Sequence, residues 1–212
     1  MKPEIENLPK SFNEILAGIP GVFWGKSVST GLPQEGAQKS GLQFPRGAIA
    51  QVVGTHGSGK TETVLRFLSE SSGPVAWLED EFTLYPAAFP QYGVSLDRVF
   101  FVDFSQFKKD VAQMLRVIQQ VVTSRAFGAC ILRLDWERYL KPEEQGTALR
   151  RIQLAAEKAE TSVVLISEKA APSGGSWPIA MQVLVKRDPE GKPELQVVKS
   201  KTSVTGPVRD LF

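Results

Sequence analysis

One short segment of the chain has the residue types and the spacing to hold a phosphate group. In GTHGSGKTET, which begins at Gly54, four residues separate that glycine from Gly59, Lys60 and Thr61, and this matches the full G-x-x-x-x-G-K-[ST] pattern. In such a loop the backbone N–H groups surround a polyphosphate, the lysine neutralises the terminal phosphates and the hydroxyl binds Mg²⁺. The alternative is a glycine-rich turn that matches by chance, and the neighbouring elements decide between the two.

This loop supplies the candidate contacts to ATP and Mg²⁺. Lys60 is a candidate for catalysis because it can stabilise charge during phosphoryl transfer, and Thr61 is a candidate metal ligand. For His56, the only histidine, we favour a solvent-facing side chain over a role in tuning phosphate affinity with pH. The predicted nucleotide contacts are Gly54, Thr55, His56, Gly57, Ser58, Gly59, Lys60, Thr61 and Glu62.

Acidic residues at the ends of two apolar segments are candidates for the rest of the chemistry. Asp135 follows ACILRL, where a carboxylate can hold Mg²⁺ through water. Glu79, Asp80 and Glu81 follow VAWL; one of them can orient a water molecule for attack on a γ-phosphate, or all three can cap a turn in solvent. The spacing alone leaves both interpretations open. Arg133 needs a partner if its strand is buried.

From residue 47 onward, apolar segments of strand length alternate with segments of helical spacing. The predicted strands are 48–54, 74–80, 98–104, 129–135 and 161–167. The predicted helices are 61–70, about 107–127 and 143–159, and the terminal antiparallel pair is 181–187 with 194–201. This order predicts an α/β fold, a mainly parallel twisted sheet with helices on both faces and ligands beyond the carboxyl ends of the strands. The glycine loop then joins a strand to a helix, which favours a phosphate site over chance.

The composition is typical of a globular protein whose core needs no disulfide bonds or metal ions to be stable. The chain has 212 residues, 42% of them hydrophobic and 23% charged, with a formal net charge of +2, so its overall charge argues neither for nor against nucleic acid. Its one cysteine, Cys130, lies in an apolar run, which indicates a buried thiol rather than a nucleophile. With no disulfide framework, signal-like segment or apolar run of membrane length, we expect a cytoplasmic protein without membrane partners.

From about Pro45 to the end, roughly four-fifths of the chain, the sequence resembles the core of the RecA recombinase family. PRGAIAQVVGTHGSGKT resembles the family's strand and phosphate loop. VAWLEDEFTLYPAAFPQYGVSLDRVFF matches the segment with its catalytic glutamate, SVVLISEK the strand that ends in its nucleotide-sensing switch, and VVKSKTSVTGPVRDLF its final core strand. The resemblance implies a RecA-like P-loop core that binds and hydrolyses ATP with Mg²⁺. Residues 45–212 would form this core, and residues 1–44 an N-terminal arm and linker.

The resemblance also implies roles for single residues. Glu81 falls on the family's catalytic glutamate. Glu168 falls on the switch position, where the family usually has glutamine. Lys199 and Lys201 fall on two lysines that reach the ATP of a neighbouring subunit, so we expect a monomer to be slow.

The departures from the family pattern concern DNA and regulation. The two segments that correspond to its DNA-binding loops are short, WERYLKPEEQG and KAAPSGGSWPIA. Trp177 and Lys169 are candidate contacts to single-stranded DNA, because aromatic side chains beside lysines suit base stacking. Trp136 is a weaker candidate because it directly follows a buried strand. The family's C-terminal regulatory domain is not expected.

These departures suggest a compact bacterial RecA paralogue, similar to the ImuA group. The implied role is an accessory in DNA repair or damage tolerance, in the SOS response and translesion synthesis, with RecA-like subunits, a RecA filament or a translesion polymerase complex as partners. One alternative is a DNA-dependent recombinase that forms filaments on single-stranded DNA. The other is an interaction adaptor that nucleotide stabilises without significant turnover.

Overall fold

A computed structural model of the chain describes residues 22–24, 43–81, 83–107, 110–170, 177–200 and 206–208. Lys201, residues 171–176 of the second short loop and most of the predicted arm lie outside these residues. Within them, a nine-stranded sheet forms the centre of the molecule.

The sheet is mainly parallel. Its strands are β1 (Val22–Trp24), β2 (Ile49–Val53), β3 (Val75–Glu79), β4 (Val99–Asp103), β5 (Ala129–Arg133), β6 (Ser162–Ser167), β7 (Ile179–Arg187), β8 (Pro193–Ser200) and β9 (Gly206–Val208). Their order is β1-β4-β3-β5-β6-β2-β7-β8-β9. The strands from β4 to β7 in that order run parallel, whereas β1, β8 and β9 pair antiparallel with their neighbours. The predicted sheet and its terminal antiparallel pair, β7 with β8, are confirmed.

The helices cover both faces of the sheet, as predicted. They are α1 (Lys60–Glu70), α2 (Val111–Thr123), α3 (Trp136–Tyr139) and α4 (Pro142–Ala159), with 3₁₀ turns at Pro86–Tyr92, Leu96–Arg98 and Phe104–Phe107. One core cluster packs α1 and the first 3₁₀ turn against the sheet, and a second packs α2 and α4 against the other face. Every residue of β2 and β3 is consequently buried, as expected for parallel strands between two helical layers.

The second helix is shorter than the predicted 107–127, which was wrong at both ends. Phe107 belongs to a separate 3₁₀ turn, where its ring packs edge-on against Phe104 with centroids 5.4 Å apart. The helix begins at Val111 because the carboxylate of Asp110 accepts a hydrogen bond from the N–H of Gln113 at 2.8 Å and caps it. It ends at Thr123, shortly before Arg125 adopts a left-handed φ of 58°, which no helical residue has.

The single cysteine of the chain lies in the central strand β5. Cys130 is fully buried, and burial raises the pKa of its thiol, as expected for a structural cysteine. No helix in the described part of the chain is long and apolar enough to span a membrane.

The strand order determines where a site can form. The strands β3, β5, β6 and β2 are neighbours and run parallel, so their carboxyl ends meet at one edge of the sheet. The residues that follow them are the carboxylates 79–81, Asp135, Glu168 and the glycine loop. The sheet therefore collects at one edge four segments that are far apart in sequence.

Candidate nucleotide-binding site

The glycine loop joins β2 to α1 and has a backbone that few residues other than glycine can adopt. Gly57 has a φ of 75° and Gly59 a φ of 99°, values that favour glycine. At Gly54, a Cβ would lie 2.4 Å from both the Oγ of Ser58 and the carbonyl oxygen of Val185. No side chain caps the N-terminus of α1, so the positive end of the helix dipole faces the loop. These are the local features that an anion-binding loop requires.

Lys60 lies at the start of α1 and points back into the loop. Its ammonium donates hydrogen bonds to the carbonyl oxygens of Gly54 at 2.5 Å and Thr55 at 2.7 Å. Burial lowers the pKa of Lys60 below its usual 10.5; the Glu168 carboxylate opposes this and Arg133 adds to it. Its positive charge is therefore poorly compensated, and an anion in the loop would restore the balance.

Ser58 provides an independent sign that the loop fits a ligand. Its hydroxyl is buried and has no hydrogen-bond partner among the described residues. A buried hydroxyl without a partner costs free energy, and a phosphate oxygen would satisfy it. The residues present fit a nucleotide polyphosphate.

The three carboxylates after β3 have different surroundings, which the sequence could not distinguish. Glu79 is fully buried: it accepts hydrogen bonds from the indole N–H of Trp77 at 2.8 Å and from the backbone N–H of Thr83 at 3.0 Å. It also pairs with Arg133 at 3.4 Å, which supplies the partner that this arginine needs. These bonds give Glu79 a structural role.

Asp80 links the ends of β3 and β5. Its carboxylate is buried and accepts hydrogen bonds from the backbone N–H of Glu81 at 3.0 Å and of Asp135 at 3.2 Å. Asp80 therefore holds the two acidic segments next to each other. Glu81 itself is exposed and pairs with Arg138 of α3 at 2.5 Å.

The short helix α3 carries two ion pairs side by side. Besides the pair between Arg138 and Glu81, the carboxylate of Glu137 binds the ammonium of Lys169 at 2.5 Å. Trp136, which begins the helix, is buried in the core, as the sequence suggested. Tyr139 ends it, and burial and the nearby Asp80 raise the pKa of this phenol to about 12. Through α3, the segment after β3 is connected to the segment after β6.

A cavity of about 790 Å³ brings most of the predicted site residues together. Its lining includes His56, Gly57, Ser58, Gly59, Lys60, Thr61, Glu62, Glu81, Asp135, Glu168, Lys169 and Trp177. Gly54 and Thr55 lie in the loop outside this lining. Lys199 is exposed on β8, opposite Gln182 of β7, and Lys201 lies outside the described residues. The loop histidine is exposed, as expected.

Three further predicted site residues, Trp177, Thr61 and Asp135, lie at the cavity. Trp177 is half-buried and packs against a core cluster rather than standing in solvent. Thr61 and Asp135 both line the cavity. The described residues contain no cluster of three or more His, Cys, Asp or Glu that could hold a metal ion.

A chain of amide hydrogen bonds connects the strand before the loop to the switch segment. Gln51 is fully buried in β2. Its amide nitrogen donates to the Oγ of Ser167 at 2.8 Å and to the carbonyl oxygen of Lys169 at 3.1 Å. Its amide oxygen accepts a hydrogen bond from Gln182 of β7 at 2.7 Å. A polar residue within the apolar run AIAQVVG was the available signal in the sequence.

Arg187 is a second site residue that the sequence did not reveal. It is the last residue of β7, lines the cavity and donates a hydrogen bond from Nε to the carbonyl oxygen of Gly57 at 2.6 Å. The two residues are 130 positions apart, and nothing in the local pattern around Arg187 indicates the contact.

No family model and no curated protein matches this chain. Among solved structures, the chain is similar to one titled "Crystal structure of the RadB recombinase", with a TM-score of 0.61 and 18% sequence identity over 79% of this chain and 88% of that chain. At this identity the likeness concerns the fold. Together with the strand order and the loop between β2 and α1, it shows that the chain has a RecA-like α/β fold.

Proposed function

We propose that this protein binds Mg·ATP at its glycine loop and hydrolyses it, as a RecA-like ATPase of DNA repair or damage tolerance. The observation that carries the proposal is the loop itself. Its glycines have left-handed φ values, its lysine contacts only loop carbonyl oxygens among the described residues, and its serine hydroxyl lacks a partner there. These three features all favour a bound polyphosphate.

The roles follow from the positions of the side chains. Lys60 would bind the terminal phosphates and stabilise the charge that develops on them. Thr61 would bind Mg²⁺ directly and Asp135 through water. When bound, the metal neutralises charge on the phosphate oxygens.

Glu81 is the candidate that orients water, since Glu79 is buried among structural partners and Asp80 holds the ends of two strands together. A water oxygen would attack the γ-phosphorus and transfer a proton to the carboxylate of Glu81. The bond between that phosphorus and the bridging oxygen breaks, and ADP leaves with its electron pair.

For the biological setting we propose an accessory role in the cytoplasm, of the ImuA-like kind described above, in translesion synthesis or on RecA filaments. The short loop segments and Glu168 in place of glutamine support it. A carboxylate at that position repels a γ-phosphate where an amide would bind it. Coupling of ATP to DNA by this residue should therefore be weaker than in the family it resembles.

A second candidate is a recombinase that polymerises on single-stranded DNA, and the fold shared with a protein titled as a recombinase favours it. The two candidates differ in one observable property. A recombinase forms filaments on single-stranded DNA with ATP, and electron microscopy would show them. The accessory would bind ATP without forming them by itself.

The test is ATP binding and hydrolysis by four variants of the purified chain, with and without single-stranded DNA. We expect Lys60→Ala to abolish ATP binding and Glu81→Ala to retain binding but lose roughly 100-fold or more in turnover. Lys158→Ala and Glu143→Ala are matched controls, because both side chains are exposed on α4 outside the cavity. Wild-type affinity in Lys60→Ala would overturn the proposal. Binding without turnover in the wild type would instead indicate the adaptor.

A further inference from the structure

The hairpin between β7 and β8 packs along the glycine loop. Val185 approaches Gly54, where its carbonyl oxygen is 2.4 Å from the position of an added Cβ. The Pro193 ring approaches Gly59, at 2.8 Å from the corresponding position. Between these contacts, Arg187 binds the carbonyl oxygen of Gly57. The hairpin thus contacts the loop at its beginning, middle and end.

The turn that carries Arg187 is closed by its own hydrogen bonds. The N–H of Asp188 donates to the carbonyl oxygen of Lys192 at 2.9 Å, and the N–H of Lys192 donates to the Asp188 carboxylate at 2.7 Å. Arg187 also donates from Nη1 to the carbonyl oxygen of Gly191. The guanidinium is therefore held in place before any ligand arrives, so it loses less conformational entropy when a ligand binds.

The charge of Arg187 is unusual among the cations of the cavity. Five lysines and arginines in the described part of the chain line it, and three of them are paired with carboxylates: Arg133 with Glu79, Arg138 with Glu81 and Lys169 with Glu137. Among the described residues, Lys60 and Arg187 contact only backbone carbonyl oxygens. A carbonyl oxygen accepts a hydrogen bond but carries no full negative charge, and neither cation forms an ion pair with a carboxylate of the described residues. Both of these cations lie at the glycine loop.

We propose that Arg187 is a second cation for the nucleotide phosphates, supplied by the same subunit; this rests on the proposed ATP binding. Two of its N–H groups hold the hairpin and the loop, and the guanidinium has further donors that suit phosphate oxygens. Arg187 then supplies within one chain part of the positive charge that Lys199 and Lys201 were expected to supply from a neighbour. Binding of the polyphosphate should depend on it even in the monomer.

The test compares Arg187→Ala, Arg187→Lys and the control Lys186→Ala. Lys186 is the preceding residue of β7, is exposed and lies outside the cavity lining. The probes are ATP and inorganic tripolyphosphate, measured by competition with a fluorescent nucleotide at several salt concentrations. We expect Arg187→Ala to weaken both about tenfold, the effect of one hydrogen bond to a charged group, and to reduce their salt dependence. Arg187→Lys should retain most of the affinity, and Lys186→Ala all of it.

Three outcomes would overturn the inference. One is an unchanged affinity of Arg187→Ala for tripolyphosphate. Another is an Arg187→Lys variant as weak as Arg187→Ala, because the bond to Gly57 rather than the charge would then matter. The third is an unchanged salt dependence in Arg187→Ala. The variant Lys60→Ala separates this inference from the proposed function. If Lys60→Ala binds ATP normally, the proposed function is wrong. If Lys60→Ala loses ATP binding while Arg187→Ala keeps it, only the role of Arg187 is wrong.

Discussion

Replacing the buried Gln51 with leucine should destabilise the fold by an amount that its hydrogen bonds determine. Leucine has a similar size and keeps the apolar contacts of β2. It loses at least three hydrogen bonds, those to Ser167, Lys169 and Gln182. At about 1 kcal/mol each, these bonds contribute about 3 kcal/mol. Burying the leucine side chain stabilises the fold by about 1.5–2 kcal/mol. The free energy of unfolding should therefore fall by about 1–1.5 kcal/mol in total.

The same reasoning makes a sharper prediction for the pair of amides. In Gln51→Leu, the amide of Gln182 loses its partner on β2, and this accounts for much of the cost. The double variant Gln51→Leu/Gln182→Leu removes both partners of this one bond, so neither amide is left without the other, and only the bonds to Ser167 and Lys169 are still lost. We therefore expect the double variant to be more stable than the sum of the single changes predicts, by about 1 kcal/mol.

The measurement is urea denaturation of the wild type, both single variants and the double variant, followed by circular dichroism. An unchanged denaturant slope would show that the midpoints report stability. Two results would refute the reasoning: a Gln51→Leu variant as stable as the wild type, or single-variant costs that simply add. Either would mean that the amide chain contributes nothing beyond its packing.

Two further predictions concern charge at the site. Burial keeps the pKa of Lys60 below its usual 10.5 and bound phosphate favours the ammonium, so ATP affinity should fall as pH rises, starting below 10.5. In Lys60→Arg, whose guanidinium stays charged over this range, the dependence should vanish, and an affinity constant up to that pH in the wild type would contradict the prediction. Arg138→Gln removes one partner of Glu81 and leaves the described hydrogen bonds of the glycine loop intact. The Glu81 carboxylate is then less strongly held, so kcat should rise roughly two- to fivefold, the range of an exposed ion pair, while the Kd for ATP stays constant. A rise in Kd, or a fall in kcat, would instead indicate that Arg138 contacts the nucleotide.

The sequence was sufficient to predict the glycine loop and the strand and helix on either side of it, because these elements depend on local sequence patterns. The apolar run before Gly54 and the helical spacing after Lys60 each depend on neighbouring residues alone. The same holds for the acidic residues at strand ends, which parallel pairing brings to one edge. The alternation of strands and helices indicates a mainly parallel sheet, so the fold class was predictable, whereas the order of the strands was not.

What the sequence could not supply depends on contacts between distant segments. The different surroundings of the three carboxylates 79–81 depend on contacts with residues more than 50 positions away in sequence. Arg133 pairs with Glu79, and the N–H of Asp135 donates to Asp80. The contact between Arg187 and Gly57 depends on the β7–β8 hairpin folding onto the loop. Spacing rules describe one element at a time, and they carry no information about which side chain of another element will meet it.

The two strands at the outer edges of the described sheet, β1 and β9, have three residues each. The central residue of β9 is Pro207, which has no backbone N–H to offer to a further strand. Addition of another chain's strand at this position is therefore disfavoured, because one backbone hydrogen bond would be missing. At Pro207, recognition of this edge by another chain would depend on side-chain contacts, which a few substitutions can change, rather than on a backbone hydrogen bond.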